Sequence, residues 1–513
     1  MKKVLFLITE LQKPVGGLYR YASELLPAWK NMIERGETAF EPVVFSIRDP
    51  IVPLGDLVPS HAFDEFTGKH PDLRVYEAQR GGFTCYFLES FLAEDKRNAF
   101  HKELWDKYRV KSEKVAYWEF YQKLNAYWRN MPLVAEWLAK QSDIAMIDAQ
   151  DWLAFPAGFL CKEKINVPLL CRFHSGEIGR SLGNLDYNSP PLAIEAAAFQ
   201  EADYIQGVSI GEAQFEAYNL LSLKQKLSAD LADSKPEKWR AEQAWKDERY
   251  EEFMLLEPED LELITQNIAG LPNGIILDQW RKVTREMILN GRETLKRLVP
   301  GKQKYILFIG RPEWRKGIDH LIEAFSMIDH EKIGLVVLSS FTDSEYKKYY
   351  SKVAALHIEN CVLLYNGWVD EEMKKSLFCA ADVIALPSLY EPFGIVTLEG
   401  LAADLACELN GETGPAVVVG DTGGMHEIIT NGMNGFKAPM EEDRFDLKPQ
   451  FLAKVLRIVL SNEHLRRKIS IGGAERVQSK SFEWHNIVHH VFELYGKAVE
   501  NYNFWHKREQ TQG

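Results

Sequence analysis

The feature that most constrains the fold is a repeated alternation of short apolar runs with longer helical patterns. This order is typical of parallel sheets whose crossovers are helices. The runs form two series, over 3–8, 42–47, 144–148, 168–173 and 204–208, and then over 305–309, 334–338, 362–365, 383–386 and 416–419. The sequence therefore predicts an α/β protein with two Rossmann-like, doubly wound domains.

Length and turn residues suggest where the chain divides. Its 513 residues exceed the roughly 250–300 at which single cores stop growing. Turn-forming residues cluster at Leu271-Pro272-Asn273-Gly274, after the first series. We expect an N-terminal domain over 1–275, a C-terminal domain over 276–480, and a helix over 481–513 that returns to the N-terminal domain. Residues 100–140 and 223–262 interrupt the alternation, and we predict helical insertions in the N-terminal domain there.

Composition and charge exclude several classes of protein. The formal net charge of -13 opposes nonspecific attraction to nucleic acid or an anionic membrane surface. Six scattered cysteines without a Cys-x-x-Cys pair indicate neither a zinc site nor a disulfide framework. The first apolar run is too short for a signal peptide, and no stretch approaches the roughly 18 apolar residues of a transmembrane helix. We expect a cytoplasmic protein that binds no nucleic acid.

The sharpest motif is Glu391-Pro392-Phe393-Gly394-Ile395-Val396-Thr397-Leu398-Glu399, which directly follows a predicted strand. If a helix begins near Gly394, its free N–H groups face whatever anion binds at the carboxyl edge of the sheet, and a diphosphate suits that position. Glu399 is then placed to accept hydrogen bonds from a ribose diol, and Glu391 from sugar hydroxyls. An arbitrary pair of glutamates is more often a helix cap and a solvated charge. The other motifs of the sequence therefore decide between this interpretation and a binding role.

A second motif, Gly310-Arg311-Pro312-Glu313-Trp314-Arg315-Lys316-Gly317, lies between the strand 305–309 and a predicted helix over 318–325. Breaking a sugar–phosphate bond leaves growing charge on a nucleoside diphosphate, and Arg311 and Lys316 are placed to stabilise that charge without a metal ion. Lone Arg and Lys residues are usually solvated surface charges, but their position at a strand end favours phosphate contact. Arg315 is the weaker candidate.

These motifs resemble those of the family-four retaining glycosyltransferases (glycosyl transferases group 1), which have the GT-B fold. The resemblance covers the Glu-x7-Glu spacing, the Arg and Lys leaving-group clamp, and glycine loops at Gly16-Gly17 and Gly423-Gly424. It implies two Rossmann-like domains with an interdomain cleft and catalytic roles for Glu391, Arg311 and Lys316. It further implies that the donor is bound by Gly16, Gly17, Phe393, Gly394, Ile395, Glu399, Gly423 and Gly424.

The first half of the chain carries segments similar to those of glycogen and starch synthases. Lys13-Pro14-Val15-Gly16-Gly17-Leu18 is similar to their Lys-x-Gly-Gly-Leu signature, with Pro14-Val15 in place of one residue. Residues 148–152 and 174–180 resemble an Asp-x-His-Asp-Trp segment and a His-x-x-Glu-x-Gly-Arg loop, with Gln150 where a histidine is usual. A lone histidine is more often structural. Because His174 lies at a predicted strand end in the expected cleft, we nevertheless count it among the catalytic residues, as a contact to a sugar hydroxyl or carbonyl and not as a general base. The resemblance further implies an acceptor side that includes Lys13, Asp151, Trp152, Glu177 and Arg180.

The resemblance implies a hexosyltransferase that moves glucose from ADP-glucose or UDP-glucose to an α-glucan, with retention of configuration and no metal. A small-molecule or lipid acceptor is an alternative, and so is a catalytically silent glycan-binding protein. A NAD-dependent dehydrogenase is disfavoured because no Gly-x-Gly-x-x-Gly follows the first strand. The donor base and the oligomeric state, including a homo-oligomer, stay open.

Overall fold

The computed structural model divides into two compact units. The N-terminal unit comprises Met1–Leu271 and Trp484–Gly513, and the C-terminal unit comprises Pro272–Glu483. The structure describes residues 1–13, 16–90, 119–182, 189–213, 268–367, 369–440 and 446–512, with a few isolated residues between 99 and 107. The insertion expected over 223–262, much of the one expected over 100–140, and the pair Pro14-Val15 lie outside the described residues.

The N-terminal unit is built on one mostly parallel sheet. Its described strands are β1 (Lys2–Leu7), β2 (Phe40–Ile47), β3 (Val58–Pro59), β4 (Leu73–Arg80), β5 (Phe83–Ser90), β6 (Ile144–Gln150), β7 (Leu169–Phe173), β8 (Tyr204–Gly207) and β9 (Ile268–Gly270). Their order is β3-β4-β5-β2-β1-β6-β7-β8-β9, in which β4 runs antiparallel to its neighbours. Because β1 pairs with both β2 and β6, the strand order reverses beside β1, and the loops after β1 and β6 share one edge.

Helices cover both faces of this sheet, as crossovers between parallel strands require. They are α1 (Gly17–Glu34), α2 (Asp64–Lys69), α3 (Glu119–Ala139), α4 (Phe155–Ile165), α5 (Glu177–Arg180) and α6 (Pro190–Glu201), with a 3-10 turn at His61–Phe63. The helix α3 packs on α4 through a core that includes Trp128 and Phe159. The indole N–H of Trp128 donates to the Leu153 carbonyl at 2.7 Å, so this buried ring also satisfies its polar atom.

The C-terminal unit holds a fully parallel sheet of six described strands. They are β10 (Lys304–Ile309), β11 (Ile333–Ser339), β12 (Val362–Asn366), β13 (Val383–Leu386), β14 (Ala416–Gly420) and β15 (Phe436–Ala438). The order is β12-β11-β10-β13-β14-β15, which reverses between β10 and β13. In doubly wound sheets ligands bind at this reversal, beyond the carboxyl ends of the strands.

The C-terminal unit contains helices of five to fifteen residues and two short 3-10 turns. The helices are α7 (Leu277–Arg281), α8 (Arg285–Leu298), α9 (Ile318–Ser326), α10 (Asp343–Ala355), α11 (Glu371–Ala380), α12 (Ile395–Leu409), α13 (Gly423–Ile428), α14 (Pro449–Ser461) and α15 (Glu463–Val477), with 3-10 turns at Trp314–Lys316 and Lys480–Phe482. α10 begins with a capping box between Thr342 and Glu345, and the Asp370 side chain caps α11. Such caps satisfy N–H groups that the first helical turn leaves unpaired.

A final helix, α16 (Trp484–Gln512), belongs to the N-terminal unit. The indole N–H of Trp484 donates to the Glu24 carboxylate on α1 at 2.7 Å. Eleven residues further along, the Tyr495 hydroxyl donates to Asp148 on β6 at 2.7 Å. Both contacts are buried, so the end of the chain contributes to the core of the first unit. Among the described residues, no helix is both long enough and apolar enough to cross a membrane.

The two-sheet α/β prediction is confirmed, and all ten predicted strands are present within a few residues. The strands β3, β4, β5, β9 and β15 were not predicted. β4 alternates exposed and buried residues because it is antiparallel and faces water on one side, so it lacks the continuous apolar run of a buried parallel strand. β3, β9 and β15 have only two or three residues, too few for a periodic signal.

Candidate functional site

Three loops of the C-terminal unit meet at the carboxyl ends of β10, β13 and β14. These strands are neighbours in the sheet, and the loops after them carry the predicted clamp, the predicted Glu-x7-Glu motif and the second glycine pair. The Leu389 N–H donates to the Arg315 carbonyl at 2.7 Å, and the Gly424 N–H donates to the Pro392 carbonyl at 3.0 Å. Backbone hydrogen bonds therefore join the loop after β13 to both of the others.

Two glycines allow this close approach. Gly317 has φ 72° and Gly423 has φ 47°, a region that L-residues with a side chain seldom adopt. A Cβ at Gly317 would collide with the Pro387 carbonyl oxygen, and one at Gly423 would collide with the Glu391 carbonyl oxygen. Glycine is thus required at both positions for conformation and for space.

The closest contact between the predicted catalytic residues is an ion pair. The Lys316 ammonium lies 2.5 Å from Oε2 of Glu391, and both side chains are about four-fifths buried. Lys316 ends the 3-10 turn after β10, whereas Glu391 lies in the loop after β13. The pair therefore spans the point at which the strand order reverses. It brings together a cation suited to a phosphate and a carboxylate suited to sugar hydroxyls.

The predicted Arg311 lies beside a second carboxylate, Glu313. The Arg311 guanidinium is 3.6 Å from Glu313, and Arg315 is closer, at 2.5 Å. Burial disfavours ionisation of Glu313, but Arg315, Lys316 and Arg311 outweigh it and hold the pKa of this carboxyl below its usual value. Arg311 is 56% exposed and Arg315 is 21% exposed, so Arg311 is the more accessible arginine of the two.

The helix α12 begins where the sequence predicted. Gly394 is its N-cap, with φ 91°, and Ile395 is the first helical residue. The Phe393 side chain is buried, and its backbone packs against Gly424. Glu399, one turn into the helix, is only 2% exposed and accepts a hydrogen bond from Lys374 at 2.8 Å. Glu399 is therefore not a solvated helical charge.

In the N-terminal unit, the first glycine loop precedes α1. Gly16 has φ 100° and caps the helix, which starts at Gly17. Lys13 is exposed, and it directly precedes residues 14 and 15, which lie outside the described residues. The loop follows β1, at the reversal of strand order in the first sheet. Its N–H groups thus occupy the position at which such folds bind anions.

His174 ends a buried chain of hydrogen bonds that starts on α16. Tyr495 donates to Oδ2 of Asp148 at 2.7 Å, and the Gln150 amide donates to Oδ1 of the same carboxylate at 2.5 Å. Oε1 of Gln150 then lies 3.0 Å from Nε2 of His174. Because the Gln150 amide nitrogen faces Asp148, its oxygen faces the imidazole, and Nε2 of His174 must carry the proton.

The surroundings of His174 keep the imidazole neutral. Burial, and then the charge of Arg172, lower its pKa to about 3. The Tyr21 ring meets the imidazole edge to face, with centroids 4.7 Å apart, and the Arg172 guanidinium lies 5.3 Å from the centroid of the same tyrosine ring. His174 thus holds one fixed proton on Nε2, and its Nδ1 is the hydrogen-bond acceptor of the ring.

Asp151 and Trp152 follow β6. Asp151 has φ 64°, an uncommon conformation that aspartate tolerates better than most residues. Its carboxylate accepts the Trp152 N–H at 3.1 Å. Burial raises the pKa of Asp151 to about 6, although Arg180 opposes the rise. The predicted acceptor-side aspartate is therefore buried, and it accepts a hydrogen bond from the backbone of the next residue.

Glu177 and Arg180 bind each other rather than standing apart. Nε of Arg180 lies 3.0 Å from Glu177, and its terminal nitrogens bind the Ser175 carbonyl at 2.8 Å and the Glu195 carboxylate at 2.5 Å. Glu195 is 1% exposed, and burial raises its pKa to about 8 despite the charge of Arg180. These contacts brace the loop after β7.

Several of these residues were missed by the sequence reasoning: Lys374, Glu195, Asp148 and Tyr495. A signal existed for two of them. Lys374 lies three and four residues before the buried Leu377 and Phe378, and Glu195 lies within an apolar helix, so each is a charge on a buried helical face. Among the described residues, no group of three or more His, Cys, Asp or Glu is placed to hold a metal ion; the metal-free donor site stays a prediction.

Comparison with known proteins supports the class that these motifs indicated. Residues 292–476 match the model of the family described as glycosyl transferases group 1. An uncharacterised glycosyltransferase of Methanocaldococcus jannaschii is 26% identical over 69% of this chain and 76% of its own. A D-inositol 3-phosphate glycosyltransferase of Xylanimonas cellulosilytica is 25% identical over 68% and 71%. An alpha-maltose-1-phosphate synthase of Mycolicibacterium smegmatis is 25% identical, but the match spans only 38% of this chain and 48% of the relative.

Solved structures show the fold. A sucrose-phosphate synthase of Thermosynechococcus elongatus superposes with a TM-score of 0.58 at 16% identity, over 97% of this chain and 99% of its own. The catalytic domain of starch synthase IV from Arabidopsis thaliana, bound to ADP and acarbose, gives 0.61 at 14% identity, over 97% and 99%. The fold is therefore GT-B. Residues 292–476 are thus similar to the glycosyl transferases group 1, and the two relatives that match about two-thirds of the chain are glycosyltransferases.

Proposed function

We propose that this protein transfers a hexose, most simply glucose, from a nucleotide diphosphate sugar to a carbohydrate acceptor with retention of anomeric configuration. The observation that carries the proposal is the Lys316–Glu391 pair at 2.5 Å, at the reversal point of the C-terminal sheet. There a diphosphate meets the N-terminus of α12, and Lys316 and Arg311 supply positive charge. Glu391 binds the sugar hydroxyls, and Glu399 binds the ribose diol.

The chemistry follows from where charge develops. As the bond from C1 of the sugar to the phosphate oxygen breaks, negative charge grows on the diphosphate, and Lys316 and Arg311 stabilise it. The acceptor hydroxyl attacks C1 from the same face, and its proton passes to the departing phosphate oxygen. A new glycosidic bond and a free nucleoside diphosphate result. His174, neutral with its proton on Nε2, orients the sugar through a hydrogen bond and does not serve as a general base.

An α-glucan is the first candidate acceptor. The support is the set of synthase-like segments after β6 and β7, together with the similarity to an alpha-maltose-1-phosphate synthase. In this proposal ADP-glucose or UDP-glucose is the donor. In this proposal the loop after β7, braced by Arg180 with Glu177 and Glu195, forms part of the acceptor side.

A small phosphorylated polyol is the second candidate acceptor. The relative that acts on D-inositol 3-phosphate aligns with 354 residues of this chain, whereas the match to the maltose phosphate synthase covers 199. The exposed Lys13 beside the first glycine loop suits a phosphate on the acceptor. The two candidates therefore differ in whether a phosphorylated acceptor is required.

The test is a release assay. The purified protein is incubated with ADP-, UDP- and GDP-sugars, with glycogen, with maltooligosaccharides or with sugar and inositol phosphates, and nucleoside diphosphate is measured. We expect release that depends on acceptor and that is lost in Lys316→Ala and Glu391→Gln. Lys348→Ala is the matched control, because Lys348 pairs with Asp319 on the surface of the same unit.

The outcomes of the release assay distinguish the two acceptors and test the assigned site. Stimulation by glucan supports the first acceptor, and stimulation by phosphates alone supports the second. Proton NMR of the product shows whether the anomeric configuration is retained. Release that survives in Lys316→Ala and Glu391→Gln would contradict the assigned site. No release and no nucleotide binding under any condition would favour a silent glycan-binding protein.

A further inference from the structure

A buried lysine lies behind the predicted ribose-binding carboxylate. Lys374 on α11 is 8% exposed, and Glu399 on α12 is 2% exposed. The Lys374 ammonium lies 2.8 Å from Oε1 of Glu399 and 2.8 Å from Oε1 of Glu371. Glu371 is the more exposed of these carboxylates, with two-thirds of its side chain accessible. Lys374 thus connects the buried Glu399 to the surface of α11.

Burial makes this pairing matter for the charge of Glu399. An isolated carboxylate at 2% exposure would be strongly favoured in its protonated form, because removal from water penalises the ion. A protonated carboxyl loses acceptor capacity, whereas a ribose diol offers two hydroxyl donors. The ammonium of Lys374 places a positive charge directly against this carboxylate, whereas α12 itself carries no lysine or arginine.

The contact between Lys374 and Glu399 also orients the Glu399 side chain. α11 ends three residues before β13, and α12 begins nine residues after it, so the two helices flank the strand that leads into the site. Contact with Oε1 at 2.8 Å restrains the Glu399 side chain against α11. A side chain with this restraint loses less rotamer freedom when it binds a ligand.

We propose that Lys374 is a positioning residue, which keeps the Glu399 carboxylate ionised and oriented so that the site recognises the ribose diol of a nucleotide. The inference rests on the proposed donor site and adds to it a residue outside the Glu-x7-Glu motif. Lys374 touches neither sugar nor phosphate. Its effect is therefore on nucleotide affinity and on ribose selectivity, and not on the chemical step.

The experiment compares nucleotides that differ only in the diol. Dissociation constants are measured by calorimetry for ADP, UDP and their 2′,3′-dideoxy counterparts, on the wild type, Lys374→Met and Lys374→Gln. Lys375→Met is the matched control, because the neighbouring lysine donates to Gln279 at 3.3 Å. Lys374→Gln keeps a hydrogen-bond donor without the charge, so it remains informative if Lys374→Met does not fold.

We expect the wild type and Lys375→Met to bind the ribonucleotide roughly tenfold or more tightly than the dideoxy form, as hydrogen bonds to a charged group predict. This preference should fall to near unity in both Lys374 variants, while kcat at saturating donor changes little. Lys374→Arg should restore part of the preference. Combining Lys374→Gln with Glu399→Gln should cost no more than Glu399→Gln alone.

Other results overturn the inference and locate the failure. If the wild type prefers ribonucleotides and the folded Lys374 variants keep the full preference, Lys374 does not position Glu399, and the donor site stands. If the wild type binds ribo- and dideoxynucleotides equally, the ribose role of Glu399 fails together with the inference. If neither nucleotide binds, the proposed donor site itself is wrong. A loss confined to kcat, with the ribose preference intact, would also contradict the positioning role.

Discussion

Lys316 and Glu391 lie 75 positions apart in the sequence, and their charged groups are 2.5 Å apart in the structure. The sheet order produces this contact, because β10 and β13 are adjacent although β11 and β12 lie between them in the chain. In the proposed reaction the two residues face opposite ends of the bond that breaks. Lys316 faces the diphosphate, and Glu391 faces the sugar.

Because these two side chains act on one transition state, their substitutions should not be additive. We expect Lys316→Ala or Glu391→Gln alone to lower kcat by roughly 10²–10³-fold, the range seen when one stabilising group is lost from a preorganised site. The double variant should lose much less than the product of the two. Steady-state kinetics on the three variants tests this, and simple multiplication of the two losses would contradict direct coupling.

Gly317 should be far less replaceable than another glycine with the same backbone conformation. Gly317→Ala must accept both φ 72° and a collision with the Pro387 carbonyl, whereas Gly301→Ala accepts φ 77° with nothing within 4 Å. We expect about 1–2 kcal/mol of lost stability for Gly301→Ala and a clearly larger loss, with weaker donor binding, for Gly317→Ala. Urea unfolding and donor KM measure the two effects. Equal losses would show that the Pro387 contact does not matter.

An exchange of charge beside His174 should change the pH dependence of the enzyme. The double variant Asp148→Asn with Gln150→Glu swaps an amide and a carboxylate within the hydrogen-bonded pair, and places a negative charge near Nε2 of His174. An adjacent anion raises a histidine pKa by roughly 1–3 units, upward from about 3. We expect the acid limb of kcat/KM to move to higher pH.

The control for this experiment is Tyr495→Phe, which removes one hydrogen bond to Asp148 without adding a charge near the imidazole. It should leave the acid limb in place. If the double variant also leaves the acid limb unchanged, the neutral state of His174 is not required for activity.

Asp404 on α12 should cost the protein stability at neutral pH. Its carboxylate oxygens lie against Gly414 and Gly473, and burial raises its pKa well above the usual value, although the Ser470 hydroxyl opposes the rise. Between the unfolded pKa, about 3.9, and the higher folded pKa, the folded state binds more protons. The free energy of unfolding therefore falls as pH rises through this window.

Asp404→Asn removes that ionisation. We expect the variant to gain stability relative to the wild type as pH rises from 5 to 8, as measured by urea unfolding at both values. A stability difference that is constant across this range, or that shrinks with rising pH, would show that Asp404 is not held protonated by burial. Ser470→Ala removes the hydroxyl that lowers the pKa of Asp404. The free energy of unfolding of this variant should therefore depend on pH at least as strongly as that of the wild type.

Local signals in the sequence were sufficient for ten of the fifteen described strands and for the start of α12. Gly394 and Glu399 illustrate this: the helix starts at the glycine, as predicted, because a residue without Cβ allows the positive φ at its N-cap. What each side chain contacts was not predictable in the same way. Glu177 and Arg180 stay predicted acceptor-side residues, and only the structure shows that they bind each other and Glu195 from α6.

The sequence by itself determined the two α/β sheets, the order of the strands along the chain and the loops with the predicted motifs. Burial on both faces of a parallel strand produces a continuous apolar run, and turns require particular residues, so both can be recognised within a few residues. The tertiary structure alone decided that Lys374 pairs with Glu399, that Tyr495 reaches Asp148 from the end of the chain, and that Gly423 lies against Glu391. Such contacts depend on which strands become neighbours and on the direction of each crossover. Those are properties of the whole sheet, and no short stretch of residues encodes them.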